Sequence, residues 1–275
     1  MSYEGYDCLR VRIESNVAWV TLDHPPINLL DLPLIGELSR LGAELQKDDD
    51  VRVVVLESAD PEFFVAHADV RLIQALPERP DTPPGQLGVF HAMVDRFRTM
   101  PKVTIAKIAG RCRGGGSELV LSFDMRFAAL ETAVLAQPEV SIGLIPGGSG
   151  TQRLPRLLGR SRALEVVLGC LDYRAELAER YGYVNRALPA AELDEFVAAL
   201  AVRIASYPAR AVALAKKAVL LADLAVDDGL REEERLFLES AQNFEAKQRM
   251  AAYLGAGGQE RETEIMLDAA GVLTR

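Results

Sequence analysis

The sequence predicts an α/β fold, a buried sheet built from strands and helices in alternation, followed by a helical C-terminal part. Three observations carry that prediction. Strand and helix patterns alternate over roughly the first 150 residues. Val53-Val54-Val55-Leu56 is apolar at consecutive positions, as a strand covered by helices on both faces should be. After Pro155 the texture turns to Ala, Leu, Arg and Glu, with apolar residues three and four positions apart.

Taken in order, Val17-Ala18-Trp19-Val20-Thr21-Leu22 is a β-branched and aromatic run closed by His24-Pro25-Pro26, hence a strand in which Trp19 packs on the sheet. Leu34, Leu38, Leu41 and Leu45 recur at helical spacing around Glu37, Arg40 and Glu44, and that helix ends in Asp48-Asp49-Asp50. A second strand runs from Val51 to Glu57. The alternation then returns: a helix around Leu87 to Met100, a strand Val103 to Ile108, and Gly-rich residues that open another helix. Strand, helix and strand in this order imply right-handed crossovers. Met125 to Ala129 and Val134 to Ala136 read as strands. Helical spacing continues through Leu193 to Ala205, Ala211 to Leu224 and Leu230 to Tyr253. Residues 254–260 read as a flexible joint and Arg261 to Arg275 as a short tail.

The 275 residues, at a soft prior of about 150 per domain, fit one large core or a core with an appendage. The 49% hydrophobic and 26% charged content is that of a soluble globular chain able to bury a core without staples. Forty acidic against 31 basic side chains leave a net charge of −9, which repels nucleic acid and anionic membrane; an anionic ligand needs a local basic pocket. Cys8, Cys112 and Cys170 are scattered without a CxxC pair, which argues for a reducing compartment and against structural zinc. Met1 to Arg12 holds Glu4 and Asp7 and no apolar core of signal-peptide length, and no run approaches 18 apolar residues. The expectation is a cytoplasmic protein that does not span a membrane.

The segment richest in chemistry is Arg111-Cys112-Arg113-Gly114-Gly115-Gly116-Ser117-Glu118-Leu119, which follows a buried strand and opens a helix. Glycines allow close backbone approach, and the unpaired amides of a helix start favour negative charge. The segment lacks the Lys-Ser/Thr of a P-loop and is not GxGxxG. Locally it is either an anion site or a tight turn without a ligand. Glu118 is either a functional carboxylate beside that turn or a residue that merely complements the helix dipole; Glu139, in Ala136-Gln137-Pro138-Glu139, is its candidate partner. Two further stretches are Phe63 to Arg71, a small-residue loop, and Ile145-Pro146-Gly147-Gly148-Ser149-Gly150-Thr151, a flexible turn before a helix with Arg153 and Arg156. The latter fails GxSxG, so a serine hydrolase is unsupported. His24, His67 and His91 are too dispersed for a paired metal site.

In order along the chain, HADV, GGGSEL, AQPE and IPGGSGTQRL together resemble the enoyl-CoA hydratase/isomerase (crotonase) family over about residues 10 to 255. The resemblance implies a crotonase-like spiral of ββα units over residues 1–200, with a C-terminal helical region and tail over 201–275. It further implies a homotrimer or dimer of trimers and an acyl-CoA thioester substrate, with no cofactor beyond the coenzyme A that the substrate carries. By position, the amides of Ala68 and Gly115 would form an oxyanion hole, and Glu118 and Glu139 would be the catalytic carboxylates. Backbone at Val65 and Ala66 would meet the adenine, and Arg71 would stand near a CoA phosphate. The expected activity is enoyl-CoA hydration, with enoyl-CoA isomerisation or non-catalytic acyl-CoA binding as alternatives. Three departures from the family stand out: His67 replaces a usual Gly, the stretch from Glu118 to Glu139 is one residue longer than in typical hydratases, and Gly255-Ala256-Gly257-Gly258 with an acidic tail replaces the usual C-terminal basic pattern.

Overall fold

The computed structural model describes residues 3–75, 83, 86–224 and 226–255. The expected joint beyond Gly255 and the tail from Arg261 lie outside the described residues. Along the chain come β1 (Leu9–Glu14), β2 (Val17–Leu22), α1 (Leu32–Lys47), β3 (Val53–Ser58), β4 (Phe63–Val65), α2 (Val70–Gln74) and α3 (Val89–Thr99). Then follow β5 (Val103–Ile108), β6 (Arg111–Arg113), α4 (Gly115–Leu121), β7 (Met125–Ala129), β8 (Val134–Ala136) and a 3-10 turn over Glu139–Ile142. The remainder is α5 (Gly150–Leu158), α6 (Arg160–Gly169), β9 (Tyr173–Arg174), α7 (Ala175–Tyr181), β10 (Arg186–Leu188), α8 (Ala190–Ala205), α9 (Ala209–Leu220), α10 (Val226–Ala241) and α11 (Phe244–Gly255).

The larger sheet has the order β1-β2-β3-β5-β7-β10, antiparallel only between β1 and β2. Its central strand β3 is buried on both faces, as its unbroken run Val53 to Leu56 predicts. Val54 and Leu56 of β3 point into one core with α1 and α3, while Val53 and Val55 point into a second with Leu193, Val197 and Ala201 of α8. Sequence reading missed β1. Its alternating Leu-Arg-Val-Arg-Ile-Glu leaves mostly polar groups exposed, which suits an edge strand, and Ser15 and Asn16 turn the hairpin with φ of 52° and 60°.

The smaller sheet, β4-β6-β8-β9, explains how the site is placed. Each of β3, β5 and β7 is followed by a strand of only three residues that pairs in this second sheet, so the chain winds as strand-strand-helix units. That is the spiral the resemblance implies. Because β6 ends at Arg113 and α4 begins at Gly115, a single residue converts extended chain into helix at the end of an inner strand of the smaller sheet.

The C-terminal third is helical, with one correction. The run Leu230 to Tyr253 is two helices, broken at Gln242 and Asn243, because the Asn243 side chain accepts from Glu245 N at 2.9 Å and restarts the helix as its cap. Lys216 of α9 anchors this part on the core. Its ammonium group, nearly buried, meets Asp124 Oδ2 at 2.8 Å and the Lys102 carbonyl at 2.7 Å. No single described helix is long and apolar enough to cross a membrane.

Candidate active site

The start of α4 gathers the site. Gly114 has φ 51° and ψ −125°, a conformation that favours glycine, and its N–H donates to the Ala136 carbonyl at the end of β8 at 3.0 Å. A Cβ at this position would stand 2.8 Å from Glu139 Oε1 and 3.6 Å from His67 Cβ, so the Glu139 carboxylate lies over the bend. Gly115, the first residue of the helix, has no intrahelical acceptor for its N–H. The corresponding Cβ position at Gly115 is 3.1 Å from Ala68 Cβ and 3.6 Å from Ala68 N.

Ala68 is oriented by an isolated parallel bridge to Leu30, in which Leu30 N donates to His67 O at 3.0 Å and Asp69 N donates to Leu30 O at 2.9 Å. In such a bridge the central residue turns its own N–H and C=O away from the partner strand. Ala68 and Gly115, from separate turns, thus lie in contact. The His67 ring folds back over its own loop, with Nδ1 2.8 Å from Ala68 O.

Glu118 sits one turn further along α4, 4% exposed. Its Oε1 accepts from Gly148 N at 2.7 Å and Gly150 N at 2.8 Å. Burial raises its pKa, and the backbone donors of residues 148–150 oppose that rise by favouring the charged form. A Cβ on Gly148 would stand 2.5 Å from Glu118 Oε2 and equally 2.5 Å from Phe90 Cε1, so the ring of Phe90 from α3 borders the carboxylate. Glu139 opens the 3-10 turn and is half-buried. Burial first, and the negative charge of Glu118 after it, push its pKa up to about 7, against the help of its own N–H. Two carboxyl groups of one chemistry therefore occupy unlike surroundings.

The other residues expected at the site are distributed as follows. Val65 and Ala66 are buried at the end of β4, and Ala66 N–H is already engaged by the Ile27 carbonyl at 3.2 Å. Arg71 is exposed in the first turn of α2, where Asp69 caps its N–H at 2.9 Å. Sequence reading missed the Gly148 and Gly150 amides. The Gly-Gly-Ser-Gly run announced a turn but not that its N–H groups grip Glu118. It also missed Arg126, whose buried guanidinium donates to Val120 O at 3.2 Å, Phe123 O at 2.7 Å and Tyr183 O at 3.0 Å and so holds the far end of α4. Among the described residues no group of three or more His, Cys, Asp or Glu could hold a metal ion.

Residues 12–259 match the enoyl-CoA hydratase/isomerase family. The chain is 34% identical over 252 residues to a "Probable enoyl-CoA hydratase" of Rhizobium meliloti, covering 91% of this chain and 96% of the relative. It is 32% identical to the short-chain-enoyl-CoA hydratase of Clostridium acetobutylicum, covering 88% and 92%. The crystal structure of an enoyl-CoA hydratase from Bacillus anthracis superposes with a TM-score of 0.82 at 29% identity, covering 93% of this chain and 97% of that one.

Proposed function

The chain belongs to the enoyl-CoA hydratase/isomerase family, and on that premise we propose that it adds water across the double bond of a 2-enoyl-CoA thioester. Attack of water on Cβ moves an electron pair onto the thioester oxygen, and the enolate charge there is what the Ala68 and Gly115 N–H groups would stabilise. Each fixed donor of this kind lowers a barrier by about 3 kcal/mol. The attacking water gives its proton to Glu118, and Cα takes one from Glu139. The two carboxyl groups then return to their starting states by exchanging a proton through water. The steps call on no metal or redox cofactor.

The observation that carries this reading is the unequal treatment of the two acids. Burial raises the pKa of Glu118 as well, but Glu118 receives two backbone N–H groups that favour its charged form, which suits a base. Glu139 is pushed up to about 7, where a carboxyl group holds a proton it can still give away. For the rest of the thioester, exposed Arg71 suits a phosphate of coenzyme A, and carbonyl groups near Val65 and Ala66 suit the adenine. The assembly we propose is a homotrimer or dimer of trimers, in the cytoplasm, with no nucleic-acid or membrane partner.

The test is to make Glu118→Gln and Glu139→Gln separately and follow the loss of the enoyl-thioester absorbance of crotonyl-CoA. Each variant should lose at least about a hundredfold in kcat, the usual contribution of one acid or base. Near-wild-type hydration in either variant would remove the two-carboxylate mechanism. Retained shuttling of a double bond by Glu118→Gln would instead favour isomerisation.

A further inference from the structure

Behind Glu139 lies a chain of polar side chains that the hydration steps leave unused. Ser117 of α4, Gln137 after β8 and Tyr183 after α7 are each 0% exposed. Ser117 Oγ and Tyr183 Oη are 2.6 Å apart. With its nitrogen toward Glu139, the Gln137 amide donates to Oε2 at 3.0 Å and Oε1 at 3.2 Å, while its oxygen accepts from Ser117 Oγ at 3.2 Å. Turned the other way, its nitrogen would lie on Ser117 Oγ at 3.2 Å and its oxygen would face the ionised carboxylate, acceptor against acceptor.

The far end of the chain decides between the two orientations. The buried phenol must place its proton, and of the two directions open to the 2.6 Å Ser117–Tyr183 pair we take the one in which Tyr183 donates to Ser117 Oγ. The hydroxyl proton of Ser117 is then left for the Gln137 oxygen, which turns the amide nitrogen outward. We propose that Tyr183, Ser117 and Gln137 form a buried hydrogen-bond relay that locks the Gln137 amide as a donor to Glu139, making Gln137 a positioning residue for that carboxylate. The catalytic meaning of the relay rests on reading Glu139 as the proton donor; its hydrogen-bond order does not.

The lock bears on proton transfer because it works against burial. A donor fixed on the ionised form keeps Glu139 able to release its proton, whereas a freely turning amide would equally accept from the protonated acid and hold the proton in place. Other titratable groups around Glu139 are Glu118 of α4, whose charge opposes ionisation, and His67, which shares the space above Gly114. From α6, which packs on the same turn, Arg160 is exposed, while Arg162 and Glu165 reach backbone and side-chain groups of Arg180 and Tyr181.

The experiment is a carbon-13 NMR titration of the protein labelled at glutamate Cδ, with the Glu139 signal assigned by its loss in Glu139→Gln. In Tyr183→Phe and in Ser117→Ala the Glu139 midpoint should move upward by about one pH unit, the size expected when one hydrogen bond to a charged group loses its fixed direction. The upper limb of kcat/KM against pH should move with it. Gln137→Met, which removes the donor altogether, should move the midpoint at least as far. A midpoint that stays in place or falls in any member of the three that melts like the wild type overturns the relay, since looser packing alone would admit water and lower the midpoint rather than raise it. The titration needs no turnover, so a wild-type protein that fails to hydrate crotonyl-CoA refutes the proposed activity while the relay is still decided.

Discussion

Replacing Glu139 by Gln should make the protein more stable, and by an amount that depends on pH. The ordinary carboxyl pKa of 4.5 becomes about 7 in the folded chain, so between those values the folded state holds a proton that the unfolded chain has released. Stability of the wild type therefore falls as pH rises from about 4.5 to 7 and is flat beyond. At about 1.4 kcal/mol per pH unit the whole difference would be about 3.4 kcal/mol. Glu139 is only half-buried, and solvent screening brings the expected penalty down to about 1–2 kcal/mol. Glutamine keeps the size and hydrogen-bonding of the protonated acid without the charge, so it removes that penalty. Urea unfolding of both proteins at pH 5 and pH 8 should give a variant-minus-wild-type difference larger at pH 8 by about 1–2 kcal/mol. A difference equal at the two pH values would mean that Glu139 is no more reluctant to ionise than an exposed glutamate, and the assignment of the acid would go with it.

The same proton sets the activity profile. kcat/KM for crotonyl-CoA should decline above about pH 7 as Glu139 loses the proton that Cα must receive, and a profile level from pH 6 to 9 would contradict this. Gly148→Ala should cost about 10- to 100-fold in kcat/KM, because the added carbon would stand 2.5 Å from Glu118 Oε2 and drive the carboxylate off its N–H donors, each hydrogen bond to a charged group being worth about 1.5–3 kcal/mol. Unimpaired hydration by a variant that melts like the wild type would show that the grip of this turn on Glu118 does not matter to the reaction.

What the sequence discloses depends on whether a residue's role is local or is completed from elsewhere in the chain. The strands Val17–Leu22, Val103–Ile108 and Met125–Ala129 have the ends that their mostly apolar runs assign, because a strand buried on both faces carries apolar residues at most positions. β1 was hidden because an edge strand answers to solvent, and its arginines and glutamate look like loop. The three-residue strands of the smaller sheet are too short to show a period, yet they bring Ala136 onto Gly114 and Val65 against Gly116. The site divides in the same way. Glu118 and Glu139 could be picked out by residue type and by the glycines beside one of them. That Glu118 is gripped by amides thirty and thirty-two residues away, and that Gln137 answers to Tyr183 across the core, are facts of tertiary contact with no trace in spacing. This is also why the two glutamates can differ in chemistry. Nothing in the side chains separates base from acid. Burial weighs on both; the difference comes from one turn supplying N–H groups to Glu118 and from the charge of Glu118 weighing on Glu139. Any change that evened out those surroundings would leave both carboxylates in place and still abolish the division of labour we propose for them.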